Sequence, residues 1–101
     1  MRIMIDCADD ETTERIRDLL NYNLATSNAE IKNVRISVRQ EKDPSGNRLV
    51  RCRMLTQLTS DENIAIEEVQ SSGEVALTRT IDRTSRTLQR RRTAGGHYGR
   101  P

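Results

Sequence analysis

Residues 72–92, SGEVALTRTIDRTSRTLQRRR, place two unlike surfaces on one helix, and that constrains the chain more than any other stretch. At about 100° per residue, Leu77, Ile81 and Leu88 fall within roughly 40° of one another on the helical wheel. Arg79, Arg83, Arg86 and Arg90, spaced four, three and four apart, form a second narrow stripe about 180° away. The apolar stripe needs a partner layer, which leaves the arginines turned to water. On an ordinary amphipathic helix, acids at i and i+4 offset such bases. After Glu74 the only acid in the sequence is Asp82, so the stripe reads as largely uncompensated and suited to something anionic.

With 101 residues, 34% hydrophobic and 32% charged, the chain makes one domain with a thin core, one layer of helix on one layer of sheet. The net charge of +2 hides a division: residues 1–70 hold 10 Lys and Arg against 13 Asp and Glu, and residues 71–101 hold 7 against 2. Such asymmetry points to a polyanionic partner. Arginine supplies 15 of the 17 bases, Lys32 and Lys42 the rest. Its planar fork suits phosphate, and a high-GC genome produces the same bias with no function attached. Cys7 and Cys52 form neither a CxxC pair nor a disulfide framework, and no apolar run reaches signal-peptide or membrane length, so a soluble cytoplasmic protein is expected.

Hydrophobic period orders the rest. Residues 1–6 alternate, with Ile3 and Ile5 on one face, and read as a first strand. Thr13 is the expected cap of a first helix over residues 13–25, with Ile16, Leu19, Leu20 and Leu24 facing the core. Period two returns over residues 31–39, where Val34, Ile36 and Val38 point in. A turn at Asp43-Pro44-Ser45-Gly46-Asn47 leads to residues 49–58, with Val50, Cys52 and Met54 in and Arg51 and Arg53 out. A polar turn precedes a short strand over residues 63–69, with Ile64 and Ile66 inward, and Ser71 or Ser72 caps the basic helix. The order predicts an α+β fold: a two-layer βαβββα sandwich whose four-stranded sheet carries both helices on one face, with strands one and two parallel and the rest antiparallel. The domain is expected over residues 1–92, and residues 93–101, with two glycines and a terminal Pro, as a flexible tail.

As a binding surface, the helix offers Arg79, Arg83, Arg86, Arg90, Arg91 and Arg92, more cations than a helix C-terminus asks for on electrostatic grounds. Arg17, Arg35, Arg39, Arg51 and Arg53 form a secondary set; the last four lie on the wet face of the sheet, where Arg51 and Arg53 have a structural alternative in pairing with Glu67. Tyr22 and Tyr98 are the only aromatics, which disfavours base-stacking platforms. Asp6, Asp9, Asp10 and Glu11 read as a solvated loop without the glycine of a calcium loop. Cys7, Cys52 and His97 fall short of a zinc ligand set. The only histidine lies near the C-terminus and no nucleophile elbow occurs, so no enzyme, metal or cofactor is expected.

Ile81-Asp82-Arg83-Thr84-Ser85-Arg86-Thr87-Leu88 resembles the last-helix run of the ribosome hibernation promoting factor family, also called ribosome-associated inhibitor A or sigma modulation proteins. Thr13-Glu14-Arg15-Ile16-Arg17-Asp18-Leu19-Leu20 is similar to the start of that family's first helix. Ile36 to Arg39 and Glu67-Glu68 sit where the family has its central strand and an acidic pair, so the likeness covers about residues 1–92. The family's aromatic and small-residue run entering the last helix is replaced by Glu74-Val75-Ala76-Leu77-Thr78, and Arg replaces most of its Lys. The resemblance implies a short-form factor, without the long form's dimerisation domain. It would occupy the messenger and transfer RNA channel of the small ribosomal subunit and block translation in resting or stressed cells. Arg83 and Arg86 carry over as contacts to ribosomal RNA, and Arg79 and Arg90 extend them by helix geometry. A second expectation, from a different class, is a protein-interaction module that docks the basic helix on an acidic protein, or weak self-association through a sheet edge. A double-stranded RNA-binding domain has similar parts, but the Lys-rich start of its last helix is missing. Neither a membrane nor a small-molecule substrate is expected.

Overall fold

The structure, a computed structural model, describes residues 1–98, with side chains for residues 1–91. Alternation builds a four-stranded sheet from β1 (Arg2–Asp6), β2 (Ile31–Lys42), β3 (Arg48–Leu58) and β4 (Asn63–Gln70), in the spatial order β1-β2-β3-β4. β1 pairs parallel with β2 through the crossover that contains α1 (Asp10–Asn23), and the two hairpins that follow are antiparallel. α2 (Gly73–Tyr98) is the last element among the described residues. The fold is the α+β sandwich expected, and the inward side chains are those that period two selects. Val34 and Ile36 from β2, Cys52, Met54 and Leu58 from β3, and Ile64 from β4 are buried against Ile16, Leu20 and Leu24 and against Ala76, Leu77, Ile81 and Leu88 of α2.

The turns obey their residue chemistry. Asp43 Oδ1 accepts from the backbone N–H groups of Ser45 and Asn47, at 2.9 and 2.8 Å, and Gly46 takes the φ of +85° that closes the loop. Between β3 and β4, Asp61 carries a positive φ of 69°, and its N–H donates to the Leu58 carbonyl.

Four boundaries differ from the sequence reading. The cap of α1 is Asp9, whose carboxylate accepts from Thr12 N–H at 3.0 Å, so the helix starts at Asp10, three residues before the Thr13 expected to cap it. Asp is as good a cap as Thr, and the acids Asp10 and Glu11 that follow suit the positive end of the helix dipole. α1 then ends at Asn23, and a 3₁₀ helix over Ala25–Glu30 leads into β2 where a plain loop was expected. β2 extends to Lys42. α2 begins behind Ser72, whose Oγ accepts from Val75 N–H, and continues to Tyr98, beyond residue 92. Glycine costs a helix about 1 kcal/mol but does not break it as proline does, and no proline intervenes before Pro101. Of the expected tail, residues 99–101 lie outside the described residues.

Candidate nucleic-acid interface

α2 is held in one rotation by what it buries. Ala76, Leu77, Thr80, Ile81, Thr84 and Leu88 all face β3, β4 and α1. The two buried threonines return their hydroxyls to the helix: Thr80 Oγ1 donates to the Ala76 carbonyl at 2.7 Å and Thr84 Oγ1 to the Thr80 carbonyl at 2.9 Å. Residues with poor helix propensity thus fit the interior without leaving their hydroxyls unpaired. Further clamps join α2 to α1. Arg15 Nε donates to Glu74 Oε2 at 3.0 Å, and Ser85 Oγ donates to the Asn23 carbonyl at 3.3 Å. With that face fixed, Arg79, Arg83, Arg86 and Arg90 lie exposed along the outer face of α2. Eleven steps of 1.5 Å from Arg79 to Arg90 make the row about 16 Å long.

The row is not uncompensated, and on this point the sequence reading is corrected. Arg83 Nη1 donates both to the Glu67 carbonyl, at 3.1 Å, and to Glu68 Oε2. Arg86 Nε lies 3.1 Å from Asp82 Oδ2, one helical turn back. Arg91 pairs with Glu62 in the β3–β4 turn and holds that carboxyl below its ordinary range. Among the described residues, Arg79 and Arg90 have no ion pair. The side chain of Arg92 lies outside the described residues. Glu62 and Glu68 are distant in sequence from the arginines they meet, so a tally of acids within the helix misses them.

The open face of the sheet is also bridged. Arg51 spends all three nitrogens on carboxylates: Nε and Nη2 on Glu41, at 2.7 and 3.1 Å, and Nη1 on Glu67. The Glu41 bonds, then those of Glu67, push its pKa up. Arg53 Nε sits 3.1 Å from Glu67 Oε2, its direct cross-strand partner, and Arg39 Nη2 sits 3.1 Å from Asp6 Oδ2. Glu67 thus pairs with both Arg51 and Arg53, the structural pairing that the sequence offered for them. Among the described residues, Arg35 reaches Met4 Sδ alone, at 3.9 Å. Arg17, on α1, is exposed and has no ion pair among the described residues. The secondary set thus splits: Arg51 has all three nitrogens engaged, Arg39 and Arg53 each spend one on a carboxylate, and Arg17 and Arg35 have no ion pair among the described residues.

The remaining candidates do other work or stand apart. Asp9 caps α1 and Asp6 holds Arg39. Among the described residues no three His, Cys, Asp or Glu side chains come together as a metal site. Cys7, just past the end of β1, and Cys52, on β3, are free thiols with β2 between the two strands, about 9–10 Å apart by strand spacing and beyond disulfide reach. Asp9, Arg15, Arg39 and Glu74 line an open groove of about 770 Å³ where the N-termini of the two helices meet. No helix among the described residues is long and apolar enough to cross a membrane.

No family model and no curated protein matches the chain. Solved structures do. A ribosomal subunit interface protein from Coxiella burnetii superposes with a TM-score of 0.68 over 92% of this chain and 99% of its own, at 14% identity. The two proteins share a fold. The N-terminal domain of Thermus thermophilus Protein Y superposes with a TM-score of 0.58 over 89% of this chain and 98% of its own, at 20% identity. At the level of fold, both agree with the family resemblance carried by the two helix motifs.

Proposed function

We propose that this protein is a ribosome-associated translation inhibitor of the hibernation type. In this reading it occupies the messenger and transfer RNA channel of the small subunit, with α2 laid along ribosomal RNA. One observation carries the proposal: the fold shared with a ribosomal subunit interface protein here bears a row of four arginines along the outer face of a helix whose opposite face is sealed into the core. Inhibition needs only occupancy, so no catalytic residue is required. The scaffold of α2 is already formed, and binding orders side chains rather than backbone. Arg79 and Arg90 meet phosphate directly. Arg86 exchanges Asp82 for phosphate, which costs little because both partners are more than half exposed and such pairs are screened by water and salt. Folded RNA is recognised largely through shape and backbone, so the scarcity of aromatics is no obstacle.

The test is cosedimentation with purified small subunits. Wild type should comigrate, and the triple variant Arg83→Glu, Arg86→Glu, Arg90→Glu should not; comigration of the triple variant removes α2 from the mechanism. The second reading, docking of α2 on an acidic protein, draws on the same arginines, two of which already hold carboxylates at Glu68 and Asp82. It predicts tight binding to a protein partner at salt concentrations where RNA binding has gone.

A further inference from the structure

Arg83 is the one arginine of the row anchored to a different element, and its anchor is a chain of three groups. Gln70 Nε2 donates to Glu68 Oε1 at 2.9 Å, and Glu68 Oε2 accepts from Arg83 Nη1, which also donates to the Glu67 carbonyl. The carboxylate lies low: the Glu68 side chain is 14% exposed and the Arg83 side chain above it 50%. The hydrogen bond from Gln70, then that from Arg83, keeps the Glu68 carboxyl below its ordinary range. Both Nη1 hydrogens are used on β4. Among the described residues, the Nε and Nη2 edge of the guanidinium has no partner. A carboxylate that merely masked the arginine would sit out on the binding surface beside it. This one sits underneath, pinned from its far side, and leaves the outer fork free, the edge through which a guanidinium takes a phosphate in bidentate fashion.

We infer that Glu68, held by Gln70, is a positioning residue for the proposed RNA interface: it locks Arg83 against the edge of β4 so that its Nε–Nη2 edge is presented ready-made to a backbone phosphate. The inference rests on the proposed RNA-binding role of α2. Its consequence runs against simple electrostatics. Deleting an acid beside a polyanion site strengthens binding if charge alone matters. Releasing a rotamer-rich side chain that must be ordered again on binding weakens it, by about 2- to 12-fold per side chain.

The experiment is equilibrium binding of the full chain to purified small ribosomal subunits, with thermal melts run in parallel. Glu68→Ala weakens binding by about 2- to 12-fold despite removing a negative charge. Glu68→Gln keeps an acceptor for Nη1 and recovers most of the affinity lost by the alanine variant. Gln70→Ala changes no charge, frees Glu68 to move, and weakens binding in the same direction; it serves where Glu68→Ala melts too low to assay. Unchanged or tighter binding by the alanine variants overturns the assignment, as does a Glu68→Gln variant that falls as far as Glu68→Ala. Failure of wild type to bind small subunits overturns the functional reading itself, and the assignment with it.

Discussion

Thr56 offers a stability test whose sign the structure fixes. Its side chain is fully buried on β3, between Val34 and Ile64 in the sheet register, and its Oγ1 is the buried side-chain atom with no hydrogen-bond partner among the described residues. A desolvated, unpaired hydroxyl costs about 1–3 kcal/mol. Thr56→Val replaces it with a methyl group, keeps the β-branch and keeps the strand preference. The variant should be more stable by at least about 1 kcal/mol, which for a domain of this size raises Tm by about 4–8 °C. Thr84 is the control: equally buried, its hydroxyl is already paired with the Thr80 carbonyl and lies 3.4 Å from Met54 Sδ. Thr84→Val should therefore give no comparable gain. Differential scanning calorimetry of the three proteins at one pH and salt concentration decides the matter. A Tm for Thr56→Val at or below wild type shows that the hydroxyl has a partner and refutes the reasoning. Thr56 faces the core, so ribosome binding should not change.

Other outcomes follow from the same packing. Leu88 is 1% exposed and helps seat the second half of α2, so Leu88→Ala should cost about 2–5 kcal/mol and lower Tm by at least about 8 °C, measured by circular dichroism. Asp9 and Asp43 are held below their ordinary value of 3.8, and Glu41, Glu62, Glu68 and Glu74 below theirs of 4.5, chiefly by hydrogen bonds to Thr12, Asn47, Arg51, Arg91, Gln70 and Arg15 respectively. Carboxyls depressed in the folded state stabilise it fully above their unfolded pKa values and lose that contribution as pH falls through the folded ones. Stability should therefore be flat above about pH 5 and decline below about pH 4.5, a decline that added salt makes shallower because the Glu62 and Glu74 side chains are more than half exposed. Denaturant melts across that range check both the sign and the window.

Hydrophobic period was enough to place the sheet: Val34, Ile36, Cys52, Met54 and Ile64 sit where alternation puts them, and Leu77, Ile81 and Leu88 form the buried stripe of α2. Caps were harder, because Asp9 and Thr13 are both competent and only the geometry of the first turn chooses between them. Charge pairing between elements was the main loss. A helical wheel sees Asp82, one turn from Arg86, but Glu68 meets Arg83 only because β4 lies beneath α2. A trace of it was legible. Ile64, Ile66, Glu68 and Gln70 share one parity of β4, so the strand that buries its first two members under α2 also carries an acid and an amide to that face. The sheet-face pairing of Arg53 with Glu67 followed from register, whereas Glu41 and Glu67 both reach Arg51 diagonally, each two residues off its direct partners Arg39 and Val69.

Whether the outer face of α2 meets phosphate is decided most directly by the salt dependence of binding to purified small subunits, for wild type and for the double variant Arg79→Gln, Arg90→Gln. These two arginines have no ion pair among the described residues, so each loss should remove one phosphate contact without freeing a buried partner. The slope of log affinity against log salt should flatten by about 1.4–1.8 for the pair, with wild-type Tm retained. A double variant with the wild-type slope would mean that Arg79 and Arg90 do not meet phosphate, contrary to the proposed docking of the α2 row.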